Sequence, residues 1–229
     1  YSRVLHLKLV STGLKTYSFN MTTFAKQERN AICQTLRLLG PDQPTLCQGW
    51  STRDLLIHLI VRENRPDAAI GLFVPFLSSY TESISNKYKE KSFEELTSIF
   101  ENGPKSPSPF SLPKVDELAN TFEFLVHHED ILRAQNDYQP RKFSDDVEKF
   151  IWSRFTKSAV FFMRKVKVGV VAKTNQGTYT LKRGNDVVTM SGNVIDLVMF
   201  AFGRSNKTDI KFEGEPSAVD KMKNSDLSL

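Results

Sequence analysis

Reactive side chains are scarce in this sequence: four histidines and two cysteines in 229 residues. Two cysteines cannot build a disulfide framework or a cysteine-rich zinc knuckle. Long apolar runs are also missing. The most apolar stretch near the start, Val4 to Phe19, is interrupted by His6, Lys8 and Lys15. It therefore makes a poor export signal and is too polar to cross a membrane. On that basis Cys33 and Cys47 are expected to be reduced thiols in a cytoplasmic protein with no membrane partner.

A strong basic excess is lacking too. The net charge is +5, but Arg3, Lys8 and Lys15 supply three of those charges within the first 20 residues, where no acid occurs. The rest of the chain is close to neutral and shows no clustered Lys/Arg motif, so nucleic acid is not an expected partner. With 40% hydrophobic and 25% charged residues, the composition is that of an ordinary globular protein of one large domain or two small ones. Met21 opens a helical pattern, and residues 1–20 are read as an extension outside the fold.

From Thr22 to Leu39 apolar residues recur at helical spacing, and Gly40-Pro41 stops the helix. Ser51 followed by Asp54 predicts a capped second helix that ends near Pro66. Ala68 to Glu90 reads as mostly helical with a break at Pro75. Ser92 and Glu95 form a capping box that opens another helix to about Glu101. Pro104, Pro107, Pro109 and Pro113 then mark a surface connection. Val115 to Arg133 is a helix without internal Gly or Pro, and Ser144 caps one reaching about Val166.

Beyond that the period changes from helical to alternating. Strands are predicted from Val168, at Thr178 to Leu181 and at Val187 to Met190, the latter two joined by the turn signal Arg183-Gly184-Asn185-Asp186. A helix over Val194 to Phe202, a strand at Ile210 to Phe212 and a helix at Ala218 to Asn224 complete the chain. The expectation is an α+β protein: a helical domain over residues 21–145 and a smaller α/β domain over 146–229.

His58, His127 and His128 all fall in predicted helices among apolar neighbours. Glu123 and His127 are four apart and share a helix face; Asn120 and Asp130 join them in a polar stripe beside Phe122, Leu125 and Val126. A carboxylate and an imidazole buried together need a compensating charge, and a divalent cation supplies it. His58, beside Leu55 and Leu59, is the natural third donor. Two histidines and one carboxylate leave coordination positions open, as in catalytic zinc sites. A surface Glu/His ion pair and a hydrogen-bonded core histidine are the competing readings of the same residues. Asp130 can orient a ligating histidine, while His128 points about 100° away from His127. Arg62, four residues after His58, can line the site mouth. Arg204 can bind an anionic group or close a helix end. Cys47 is read as a small buried hydrophobe rather than a redox thiol.

The segment Trp50-Ser51-Thr52-Arg53-Asp54-Leu55-Leu56-Ile57-His58-Leu59 resembles the Trp-Ser/Thr-x-x-Asp-Leu-x-x-His-Leu element of the DinB-like superfamily. Its branch of mycothiol-dependent maleylpyruvate isomerases also carries Glu-x-x-x-His-x-x-Asp-Leu. Here that element reads Glu123 to Ile131, with Ile131 for the final Leu. Gly192 to Leu197 and Phe202-Gly203-Arg204 are similar to the branch's C-terminal elements. The resemblance implies a four-helix N-terminal bundle, a small α/β C-terminal domain, and a divalent ion, usually zinc, on His58, Glu123 and His127. It implies a thiol-dependent transferase or isomerase acting on a small-molecule thiol (mycothiol) and an electrophile. From their positions in the sequence, Arg62 and Arg204 are the cofactor-binding candidates. A non-catalytic metal- or thiol-binding protein and a metal-dependent hydrolase share the same ligands. A monomer or a homodimer is expected.

Overall fold

The computed structural model describes residues 23–64, 78–104, 108 and 111–227. Residues 1–20 and most of the predicted break around Pro75 lie outside them. Helix α1 (Phe24–Leu39) begins where Thr23 accepts from the Lys26 amide and ends at Gly40, whose φ of 81° turns the chain away. Helix α2 (Thr52–Asn64) starts as the capping signal predicts: the Ser51 amide and hydroxyl donate to Asp54, and the Asp54 amide donates back to Ser51. Helix α3 (Ser78–Lys89) and helix α4 (Phe93–Asn102) follow, the second with its Ser92/Glu95 box intact. Helix α5 (Pro113–Leu132) is the long one, with Pro113 in its first turn, where a missing amide costs nothing.

The helix predicted to run from Ser144 to about Val166 is interrupted. It forms α6 (Asp145–Lys157), then the single turn α7 (Ala159–Phe162). Ser158 sits between them at φ −97°, ψ 5°, its amide shared among the carbonyls of Arg154, Phe155 and Thr156. Sequence periodicity carries no signal for such a one-residue break.

Strands β1 (Val170–Thr174), β2 (Gly177–Lys182), β3 (Val188–Ser191) and β4 (Lys211–Glu213) form one sheet in the order β2-β1-β3-β4. The Arg183 to Asp186 turn signal reads as a link between neighbouring strands, but β1 stands between them. It pairs antiparallel with β2 across the tight Asn175-Gln176 turn and parallel with β3. The reason is close backbone approach. The Gly169 amide donates to the Asn185 carbonyl, and a Cβ on Gly169 would lie 2.8 Å from the Gly184 oxygen. The loop thus folds back along the start of β1 instead of closing a hairpin. Helix α8 (Val194–Ala201), capped by Asn193, and helix α9 (Pro216–Lys223) pack against this unit.

Two apolar clusters organise the packing. One joins α1, α2 and α4 with Phe124 and Ile131 of α5. The other joins the C-terminal elements with Leu125 and Val126 of α5. Helix α5 is therefore covered on two flanks, and its polar side chains lie between the cores.

One of those side chains, His128, belongs to a buried charge network. Its Nδ1 is 2.9 Å from Glu28, its Nε2 is 2.9 Å from the Thr35 hydroxyl, and Arg141 donates to both oxygens of Glu28. Burial would raise the Glu28 pKa, but Arg141 and His128 outweigh it and bring it down to about 2. A depressed carboxylate stabilises the fold above its unfolded pKa and loses that contribution as pH falls. Glu28 should supply about 3 kcal/mol at neutral pH, from a drop of two to three pKa units. Urea titrations of Glu28→Gln are expected to show that loss at pH 7 and a flatter decline between pH ~5 and ~3. A mutant whose acid limb parallels the parent would contradict the assignment.

Candidate metal centre

The polar stripe of α5 meets α2 at three side chains. His58 Nε2 lies 3.1 Å from Glu123 Oε1, and His127 Nε2 lies 3.3 Å from the same oxygen. The three ligand atoms are mutually within 4.8 Å. Two donors each about 2.1 Å from a tetrahedral ion stand about 3.4 Å apart, so the spacing suits a small divalent cation. The helical period places Glu123 above His127, and burial of Leu55 and Leu59 turns His58 toward them. The two imidazole rings meet edge to face with centroids 5.1 Å apart, and Trp50 packs on His58 at the same separation.

Behind His127 stands Asp130, whose side chain is fully buried. Its Oδ2 is 3.0 Å from His127 Nδ1, and Arg204 grips both of its oxygens at 2.9 and 2.7 Å. A carboxylate at Nδ1 keeps the proton there and turns the Nε2 lone pair toward Glu123. Two acceptors then face each other at 3.3 Å unless a proton or a metal ion lies between them. The residues present therefore fit a divalent ion on the chemistry of the donor set alone.

A proton also bridges these acceptors, and the electrostatics favour it at His127. Burial opposes charge on His127, yet Asp130, Cys47 and Glu123 overcome it and hold its pKa well above the ordinary imidazole range. At His58 burial prevails and the pKa falls. Glu123, despite burial, is carried well below the usual carboxylate range by His127, His58 and Arg62. His58 Nδ1 is buried and meets no hydrogen-bond partner among the described residues. His58 also lines a cavity of about 230 Å³ together with Trp50, Asp54, Ser85 and Lys89.

Arg62 reaches the site through its Nε, 3.3 Å from Glu123 Oε1, and donates to Asn120 Oδ1 and the Ala119 carbonyl. Arg204 closes on Asp130 and the Phe202 carbonyl, so it combines a carboxylate partner with the helix-end role. His128 faces away into the Glu28 network.

Sequence reasoning undervalued Cys47. It is half-exposed, its thiol donates to Asp130 Oδ2 at 3.3 Å, and it lies 3.9 Å from His127 Nδ1. Cys47, His127 and Asp130 make a second cluster with ligand spacing. The Arg204 guanidinium already occupies it, 3.6 Å from the sulfur and 2.7 Å from the carboxylate, so a cation there would meet a fixed positive charge. The His58, Glu123, His127 cluster is the better metal cradle. Only a contact map could have flagged Cys47, because its neighbours come from α5 and from Arg204.

No protein-family model matches the chain, and no curated protein matches it in sequence. Among solved structures, its fold is similar to that of the crystal structure of the mycothiol-dependent maleylpyruvate isomerase: TM-score 0.50 and 14% identity, covering 83% of this chain and 90% of that one. A histidine-to-alanine mutant of that isomerase gives a TM-score of 0.47 and 16% identity, covering 82% and 90%. At such identity the likeness is one of fold, in agreement with the resemblance read from the motifs.

The two thiols should differ in reactivity. Cys33 is fully buried, and burial pushes its thiol up to about 12. Iodoacetamide at pH ~8 is expected to label Cys47 alone in the native protein and both cysteines in denaturant. Peptide mass spectrometry that finds native Cys33 alkylated as fast as Cys47 would refute this.

Proposed function

We propose that this chain is a divalent-metal-dependent protein of the DinB-like, mycothiol-using type: a thiol transferase or isomerase with His58, Glu123 and His127 as metal ligands. Zinc is the ion that best suits two imidazoles and one carboxylate with an open position. In this reading residues 21–145 form the DinB-like four-helix bundle and residues 146–229 the smaller α/β domain. The observation that carries the proposal is the convergence of two imidazole Nε2 atoms on one carboxylate oxygen, with Asp130 behind His127.

When bound, such an ion lowers the pKa of a coordinated thiol and holds it as the nucleophilic thiolate at neutral pH. The chain's own residues supply the rest. Asp130 fixes the His127 tautomer, and Arg204 holds Asp130 in place. Trp50 packs against His58 and limits its rotation. Arg62 and Arg204 bring positive charge to Glu123 and Asp130, a balance that favours an anionic co-substrate.

His58→Ala and His127→Ala should each abolish stoichiometric metal, measured by elemental analysis of purified protein. His128→Ala should retain it. Full retention in either of the first two would remove the ligand set, and loss in the third would mean the wrong neighbour was chosen.

A panel of low-molecular-weight thiols against unsaturated carbonyl compounds tests the chemistry. Thiol-dependent consumption of the electrophile is expected, and it should vanish in His127→Ala. Thiol-independent hydrolysis would point instead to a metal-dependent hydrolase, and metal binding with no turnover to a non-catalytic binding protein.

A further inference from the structure

Glu123 lines a second, wider cavity of about 700 Å³ whose other walls are largely apolar and include four phenylalanines. Phe122, beside Glu123 in the chain, meets Phe162 edge to face at 5.5 Å and Phe202 at 6.0 Å, and Phe162 and Phe202 are 5.0 Å apart. Phe202 is tied to the metal centre as well, because its carbonyl accepts from Arg204. The cavity and the candidate centre therefore share α5 on one side and the Phe202–Arg204 turn on the other.

The outer part of this cavity is unusual for a protein surface. Val160 is 82% exposed and Phe161 55% exposed on the single turn α7. Exposed apolar groups gathered around a cavity and rimmed by charge mark ligand sites more often than chance surface does. The rim is cationic: Lys157 and Arg164 both line it. The Arg164 guanidinium lies 4.3 Å from the Phe161 ring centroid, and neither cation is ion-paired among the described residues. The carboxylate in the lining is that of Glu123, which His58, His127 and Arg62 already engage.

Aromatic walls, an unneutralised cationic rim and a reactive inner corner specify a ligand. We infer that the cavity binds an amphiphilic organic anion, an aryl or alkyl carboxylate. Its apolar body lies on Phe122, Phe161, Phe162 and Phe202. Its carboxylate meets Lys157 and Arg164, and its far end reaches the Glu123 corner. This rests on the proposed function in one respect: the ligand is there the electrophilic co-substrate. The groove is open on its outer side, and its volume accommodates a small molecule lying along it. Charge complementarity separates this occupant from a second copy of the chain, which the apolar residues alone would equally accept.

Calorimetric titration of the full chain with phenylbutyrate, its amide and acetate tests the inference. Phenylbutyrate is expected to bind about tenfold more tightly than the amide, one step of the affinity scale, and acetate to give no measurable heat. Phe161→Ser, a change at an exposed position that the core does not need, should weaken phenylbutyrate about tenfold. Lys157→Gln combined with Arg164→Gln should erase the preference for acid over amide. Equal binding of acid and amide by the parent chain would overturn the inference, as would an affinity unmoved by Phe161→Ser. Absence of phenylbutyrate binding, with self-association that Phe161→Ser abolishes, would assign the face to a second copy instead. Repeating the titration with His127→Ala separates the two readings. Binding that survives loss of metal supports the cavity assignment even if the metal chemistry fails. Thiol chemistry without phenylbutyrate binding defeats the cavity assignment alone.

Discussion

Helix α5 is enclosed by apolar side chains on two flanks, and its polar stripe has no broad water-facing side on which to lie. Most groups along it are instead matched to a partner from another element. Asn120 accepts from Arg62 and donates to Glu63. Glu123 receives His58, and Asp130 receives Arg204. His127 alone is held between two carboxylates of its own helix. Buried charge is tolerated only when paired and hydrogen-bonded. The position of each partner is therefore as constrained as the core packing around it.

That constraint binds the two halves of the chain. Arg133, at the end of α5, donates to Glu129 and to Asp196 of α8, while Arg204 reaches back to Asp130. Removing one member of a buried pair costs about 3–5 kcal/mol, because the other is left uncompensated. The C-terminal part thus bears on the orientation of His127 through Arg204 and Asp130.

The shared fold with an isomerase carries no activity by itself. What recommends a thiol-activating metal centre is the donor set and its backing carboxylate. Beside that centre Glu123 also lines the wider cavity with Phe122, Phe162 and Phe202. Hydrophobic walls next to a charged centre exclude water from the apolar part of a substrate and strengthen electrostatic interactions at the reacting end. The two features adjoin through Phe122 and Glu123, consecutive residues whose side chains diverge by about 100° around the helix.

Local chemistry was legible from the sequence alone. The Ser51/Asp54 and Ser92/Glu95 caps, the Gly40 stop and the shared face of Glu123 and His127 all follow from spacings of three or four residues, which the helix period enforces wherever the helix lies. His58 was a candidate because of its apolar neighbours, but its meeting with Glu123 spans 65 residues. Tertiary structure alone decided that Cys47 and Arg204 converge on Asp130, that β1 separates β2 from β3, and that the helix after Ser144 breaks at Ser158. Backbone periodicity is a property of neighbours in the chain. Convergence of distant side chains depends on how whole helices pack, and no short window of sequence records that.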